Sequence, residues 1–529
     1  MSPKILFIAF ISILFIGNIQ AQSKPIPTQT TDKISRPKLV IGLVVDQMRW
    51  DYLYRYYSRY GKGGFRRLMK QGYSFENTFV PYVPTVTASG HTCIYTGSVP
   101  AIHGIVGNDW IENKTGKRMY CTQDDSVNTV GSNSKEGKMS PKNLLVTTVS
   151  DELRIATNFR SRTFGLAMKD RGGIFPAGQS GNAAYWFEDV SGNWITSTYY
   201  MQSLPKWVTD FNNNHFTDKF MEKDWNLLYP ESSYIQSTSD DKQYEKTLPQ
   251  EKTRTFPHSY KSLIGKSYYA FRINPFGNNL TLDFATTLIK NERLGKNGET
   301  DILAVSLSAP DYISHRFGPN SLEVEDTYLR LDIEIEKFLN MLDAEIGKGN
   351  YVLFLTADHG APNTPGFMQE NKLPGGNLKA KWMIPEMNDL LKKQFGQDSI
   401  VINIFEYQVY LNYAKIDSLK LNKQGIKASL IEFLLSKPEV EQAFDYAEFD
   451  KLVMPSRLKE MFAKGYFRSR SGEVQFILKP QYHDVDWAGT EHGTWQPYDT
   501  HIPLIFFGWN INPGKTYREV YMTDIAPTL

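Results

Sequence analysis

Residues 38–46, Lys-Leu-Val-Ile-Gly-Leu-Val-Val-Asp (KLVIGLVVD), decide the fold. An apolar run with no polar alternation is a strand buried on both faces, the pattern of a central strand in a parallel sheet. Runs of the same kind recur at 163–168 (TFGLAM), 302–307 (ILAVSL), 351–356 (YVLFLT) and 502–507 (IPLIFF). Helical patterns lie between them. Residues 65–71 close on Gly72, and 143–156 and 324–346 carry apolar residues at three- and four-residue spacing. Strands alternating with helices predict an α/β fold: a doubly wound, mostly parallel central sheet with helices on both faces.

Two stretches break that rhythm. Residues of about 180–295 are rich in Asn, Ser, Tyr and Lys, with short strand-like pieces such as 184–187. Residues of about 366–484 contain helical segments (426–435, 458–462) and no buried-strand run like the others. Both are expected to be insertions in a single domain of 38–529, the second forming a cap over the site. No internal repeat or low-complexity segment is visible. The last residues, 524–529 (DIAPTL), look like the beginning of a helix, so a truncated C-terminus is expected.

Composition narrows the chemistry. The chain has 529 residues, enough for about three domains or one large domain with insertions. With 41% hydrophobic residues, 31 Phe, 30 Tyr and 10 Trp, it can bury a large core. Its 59 Lys plus Arg against 57 Asp plus Glu give a net charge of +2, which offers no global attraction for a nucleic-acid polymer. Only Cys93 and Cys121 are present, so a disulfide scaffold and a thiolate zinc site are both excluded. Whether those two pair is left open by the sequence. A metal would have to be held by carboxylates and by some of the nine histidines.

The N-terminus reads as a cleaved signal peptide over 1–21. Lys4 supplies the positive start, an apolar run follows over 5–17, and Ala21 precedes the cleavage point. Its loss leaves a mature charge of +1, with 22–37 as a polar, Pro/Thr-rich linker. No other stretch is long enough to span a bilayer. The expected location is periplasmic or secreted.

In open α/β sheets, ligands bind outside the carboxyl ends of the strands. The first strand ends in Asp46. The strand 302–307 leads to Asp311 and His315 in SAPDYISH, and 351–356 leads to Asp358 and His359 in TADHG. A late loop, GTEHGTW, holds His492. Singly, each has an ordinary reading as a turn residue, a cap, or a pair on one helix face. Together, three Asp and three His suit two zinc ions of three protein ligands each. The turn PTVTASGHT (84–92) offers Thr85, Thr87, Ser89 and Thr92 at a helix start, where free N–H groups favour anions. Pattern alone does not choose among these hydroxyls. His91 and His103 lie near that helix, where a supporting role competes with ordinary structural use.

The motifs VVDQMRWD, PTVTASGHT, GIVGNDW, MKDRG, APDYISH, TADHG and EHGTW, in this order over about 37–529, resemble the alkaline phosphatase superfamily, specifically the PafA-type phosphate-irrepressible alkaline phosphatases. The resemblance implies an exported, zinc-dependent hydrolase of phosphate monoesters acting through a covalent phospho-threonine. It implies one zinc held by Asp311, His315 and His492, and a second by Asp46, Asp358 and His359. Thr87 would be the nucleophile, bridging as an alkoxide towards the second zinc. Asn108, Lys169 and Arg171 would contact the phosphoryl oxygens. Small phosphorylated molecules are the implied partners, with a monomer favoured.

The nearest alternative is a phosphodiesterase/nucleotide pyrophosphatase of the same superfamily. Lys169 and Arg171 argue against it, because a monoester dianion has a third unesterified oxygen that rewards two cations. A sulfatase would need Cys or Ser in a C/S-x-P-x-R turn, which is missing. An inactive binding protein on this fold is the remaining alternative, opposed by the presence of every candidate ligand.

Overall fold

The computed structural model describes residues 35–529. The expected signal peptide and most of the 22–37 linker lie outside them. The run that opens the chain is a fully buried strand, β1 (Leu39–Val45). Four more buried strands follow: β2 (Thr163–Ala167), β3 (Ala183–Phe187), β4 (Asp301–Leu307) and β5 (Tyr351–Thr356). They pair parallel in the order β5-β1-β4-β2-β3. This is the doubly wound, mostly parallel sheet expected from the apolar runs.

The register matters more than the order. Val44 lies opposite both Ser306 and Thr356, and Ala167 opposite Ser306, so four strands finish at one level. The Asp46 amide donates to the Leu307 carbonyl (3.1 Å), continuing the ladder one residue beyond β1. Side chains immediately after these strands are thereby brought to one edge.

Gly42, the one small residue in β1, marks where a helix crosses closely. Helix α1 (Thr87–Thr96) lays Tyr95 over it, and a Cβ at Gly42 would lie 2.5 Å from the Phe354 ring and closer still to the Tyr95 hydroxyl. The other helices that matter are α2 (Asp170–Ala177) after β2, and α3 (Ala309–Phe317) and α4 (Leu322–Leu342) after β4.

Several elements differ from expectation for identifiable reasons. The segment 502–507 is divided at Pro503, which has no N–H to give to a ladder. Its pieces, His501–Ile502 and Leu504–Gly508, run antiparallel, the latter beside β5. Ala183–Phe187, placed within the first interruption, is the fifth parallel strand. The helix expected over 143–156 begins only at Val149, where Thr148 and Asp151 form a capping box.

Residues 366–484, where no buried strand was expected, contain a four-stranded sheet: Val401–Phe405, Gln408–Leu411, Val440–Asp445 and Val474–Leu478. Its pairings are antiparallel, and its strands are four to six residues long with mixed burial except for two. Short antiparallel strands, two of them only partly buried, lack the long apolar signature of a parallel core. This sheet has a hydrophobic core of its own, with Met383, Met387, Leu391, Leu430 and Phe476.

Among the described residues no helix is long and apolar enough to cross a membrane. Cys93 and Cys121 are both buried free thiols.

Replacing Gly42 by Ala forces overpacking between β1 and α1. The expected loss is about 1–3 kcal/mol of stability, read as a lower denaturation midpoint with the metal content held fixed.

Candidate active site

The aligned strand ends collect three carboxylates. Asp46, Asp311 and Asp358 are all essentially inaccessible to solvent. One ammonium faces them: Lys169, at the start of α2, places Nζ 2.8 Å from Asp46 Oδ2 and 2.5 Å from Asp311 Oδ2. Burial, with Asp311 and Asp358 nearby, pushes the Asp46 carboxyl well above the usual range despite that lysine. Burial acts the same way on Asp311, but His315 and Lys169 outweigh it and hold its carboxyl well below the usual range. Three buried carboxylates are more negative charge than one lysine offsets, and such charges need partners.

The histidines are oriented to supply the rest. His315 Nδ1 donates to the Thr490 carbonyl (2.8 Å), His492 Nδ1 to Thr85 (2.7 Å) and His359 Nδ1 to Gly360 (3.0 Å). Each backbone acceptor fixes the proton on Nδ1 and leaves the Nε2 lone pair for a ligand, the usual arrangement behind a metal-binding imidazole. His359 and His492 stack with ring centroids 3.6 Å apart.

Two sets result, Asp311–His315–His492 and Asp46–Asp358–His359, with ligand atoms within 4.8 Å of one another in each. Asp46 Oδ1 and Asp358 Oδ2 are buried without a hydrogen-bond partner. Oxygen and imidazole donors, orphaned carboxylate oxygens and preset lone pairs fit two divalent ions. His315, the most charge-stabilised of the rings, is held up to about 10 against burial by Asp311 and Glu491, whereas burial and His359 push His492 down to about 3.

The hydroxyl-rich turn resolves itself once its partners are seen. Thr85 donates to the Thr494 carbonyl (2.9 Å), Ser89 to Ile105 (2.8 Å) and Thr92 to Ala88 (2.7 Å). Those three serve the backbone. Thr87, first residue of α1, instead has Oγ1 3.4 Å from His359 Nε2 and 3.3 Å from Lys169 Nζ. Of the four hydroxyls it alone faces the Asp46–Asp358–His359 set. Gly90 permits this, because a Cβ there would stand 2.6 Å from both the Cβ and the carbonyl oxygen of Asp358.

Asn108 accepts the Ala88 amide on Oδ1 (3.1 Å), which turns its NH₂ group away from the helix. Its own carbonyl takes the Cys121 amide (2.9 Å), pinning the loop. Arg171 donates to the Tyr120 hydroxyl (3.0 Å), which donates to Asp170 (2.7 Å). Thus all ten sequence-derived site residues lie at one end of the sheet.

Some supporting residues had escaped sequence reasoning. Gln47 gives its side-chain amide to Asp311 (2.8 Å) and its backbone N–H to Asp358 (3.1 Å), tying the two sets together. Its position directly after the strand-ending Asp46 was the available signal. His91, for which the sequence had weighed a supporting role against ordinary structural use, reaches the Thr87 carbonyl (3.0 Å) and Ser306 (2.8 Å), with Nδ1 3.3 Å from Asp358. Tyr312 places its ring 5.0 Å below Lys169.

A cavity adjoins the site. About 590 Å³ in volume, it is lined by Asn108, His315 and His492 from the site, and by residues of 379–407 and 484–491 on its outer wall. Thr87, Lys169, Asp46 and Asp358 do not border it.

Paired carboxylate–histidine triads, a helix-borne threonine and two cations at the end of a parallel sheet define a hydrolase with the fold of the alkaline phosphatases. Residues 40–499 match the family described as type I phosphodiesterase / nucleotide pyrophosphatase. The chain is 50% identical to alkaline phosphatase PhoV of Synechococcus elongatus, covering 100% of this chain and 96% of that protein. It is 51% identical to a Myroides odoratus protein named calcium-transporting ATPase, over 94% and 92% of the two chains. The crystal structure of wild-type alkaline phosphatase PafA shares 46% identity with a TM-score of 0.92, covering 94% of this chain and 95% of that one. The chain belongs to the type I phosphodiesterase / nucleotide pyrophosphatase family and, within the alkaline phosphatase superfamily, to the PafA-type phosphatases.

Replacing Gln47 by Ala removes a hydrogen bond to one metal set while sparing every ligand. Metal affinity, measured by chelator competition, is expected to fall on the order of 10- to 100-fold. Replacing His359 or His315 by Ala should each cost about one bound equivalent in a metal assay.

Proposed function

We propose that the protein is an exported, zinc-dependent alkaline phosphatase that hydrolyses phosphate monoesters through a phospho-threonine on Thr87. The observation that carries this reading is the fixing of all three ligand histidines by Nδ1 to backbone carbonyls, so that every Nε2 converges on the carboxylates beside Thr87. Asp311, His315 and His492 would hold one zinc ion, and Asp46, Asp358 and His359 the other. Bound there, the ions would supply positive charge that lowers the pKa of neighbouring hydroxyls and offsets charge on the leaving oxygen.

The chain's own residues account for the rest. Thr87 Oγ1 gives up its proton to solvent and attacks phosphorus, the ester P–O bond breaks, and the leaving oxygen takes a proton back from solvent. A second water then attacks the phospho-threonine and releases inorganic phosphate, restoring the hydroxyl. Lys169 Nζ, 3.3 Å from Oγ1, favours the ionised hydroxyl. Phosphoryl transfer asks mainly for positioning and charge. Asn108 offers its NH₂ group, Lys169 a point charge and Arg171 a fork held by Tyr120. The leaving group exits into the cavity bordered by Asn108, His315 and His492. We read residues 366–484 as a cap around that exit.

A solved variant of PafA carries replacements of a threonine and an asparagine 21 positions apart, and of a lysine and an arginine two apart. Thr87 and Asn108, and Lys169 and Arg171, have those spacings here. This supports treating the four as one working group. Splitting a terminal phosphate from a nucleotide, as the Myroides relative's name implies for that protein, would call on the same residues.

The diesterase alternative is separated by kinetics. The zinc-loaded enzyme should show a much larger kcat/KM on a phenyl phosphate monoester than on its methyl diester. Arg171→Ala should lower the monoester value by about 10- to 100-fold with the diester value nearly unmoved, whereas Lys169→Ala, which also removes the charge beside Thr87, should lower both, the monoester value more. A large diester preference in the parent would overturn the reading. Thr87→Ala should abolish turnover and the acid-stable phospho-protein seen after a quench.

A further inference from the structure

The cavity outside the phosphate site has an uneven wall. Its charges nearly cancel, since four cationic and five carboxylate side chains line it. Lys379 is paired with Asp486, and Arg118 with Asp109. A leaving group bearing its own negative charge therefore gains little here.

The unusual element is aromatic. Trp382 borders the cavity and, at 71%, is the most exposed aromatic side chain among the described residues, a costly position for an indole. Its backbone is anchored on both sides. Its neighbours Ala380 and Met383 are buried in the core beneath the accessory sheet. The Lys379 ammonium covers one face of the ring, 3.9 Å from the centroid. The exposed remainder is a flat apolar surface fixed at the mouth of the site. Across the same cavity lies Phe405, braced by Lys381 (5.3 Å) and Arg118 (5.7 Å). At about 590 Å³ the space is within the range of small-ligand pockets and has room for a nucleoside.

We propose that this cavity is a leaving-group subsite in which Trp382 stacks on a planar, uncharged aromatic ring system. The substrates it favours are phosphate monoesters of nucleoside size and shape. This rests on the monoesterase reading, because the leaving group reaches Trp382 only if the phosphate sits between Thr87 and Asn108.

Adenosine 5′-monophosphate and ribose 5-phosphate differ in the base alone, so their kcat/KM ratio isolates the stacking. Base–aromatic stacking is worth enough to predict a ratio of at least about five-fold in the zinc-loaded enzyme. Trp382→Ala should bring the ratio close to one and Trp382→Phe should keep most of it. The inhibition constant of inorganic phosphate, which reads the inner site, should stay within about two-fold. Equilibrium affinities on the Thr87→Ala protein should show the same ratio, which covers the case where association limits kcat/KM. Equal values for both esters in the parent, or a preference that survives Trp382→Ala in both kinetics and affinity, would overturn the subsite and leave the phosphatase intact. Failure of the zinc-loaded enzyme to hydrolyse either ester would overturn the monoesterase reading, and the subsite with it.

Discussion

Three carboxylates buried within reach of a single lysine are the constraint on which this molecule is arranged. Asp46, Asp311 and Asp358 cannot be held out of water at that spacing without compensating positive charge. The fold accepts this because the strands that deliver them finish at one level, and β1, β4 and β5 are neighbours in the sheet. Gln47 supplies hydrogen bonds to two of the carboxylates, and Lys169 a charge to two. What remains unbalanced is charge, which is what divalent ions supply.

The rest of the site follows from that excess. Helix α1 must come close enough to set Thr87 beside His359, which is why Gly42 stands beneath it and Gly90, within it, faces Asp358. His91 joins α1 to Asp358 and Ser306, so the helix bearing Thr87 and the Asp358 carboxylate are held together. Asn108 caps the same helix from the opposite loop. A 1 Å shift in any of these would be felt by all, since each is held by at least one partner that is itself buried.

Much of this was legible in the chain. Continuous apolar runs announced four of the five parallel strands, and acids and histidines stood directly after them, where sheet topology puts ligands. Four things were not legible, each for a physical reason. Which hydroxyl of 84–92 is free depends on distant carbonyls, Ile105 and Thr494, that local pattern does not contain. The run 184–187 was strand-like in the sequence, but its place as the fifth parallel strand, Ala183–Phe187, shows only in its pairing with β2. The sheet within 366–484 is antiparallel with mixed burial, so its strands carry little of the signal that marked β1. Antiparallel direction at Leu504–Gly508 is likewise invisible to hydrophobicity.

The order of the ligands along the chain has a mechanical consequence. His315 and His492 belong to one set, yet the whole accessory sheet is strung between them. An ion shared by Asp311, His315 and His492 therefore closes a loop that contains a second hydrophobic core, as a covalent cross-link would. Closing a long loop restricts the unfolded chain more than the folded one. Such an ion would thus staple the accessory layer to the end of the central sheet, and the wall bearing Trp382 would be tied through the same ligands.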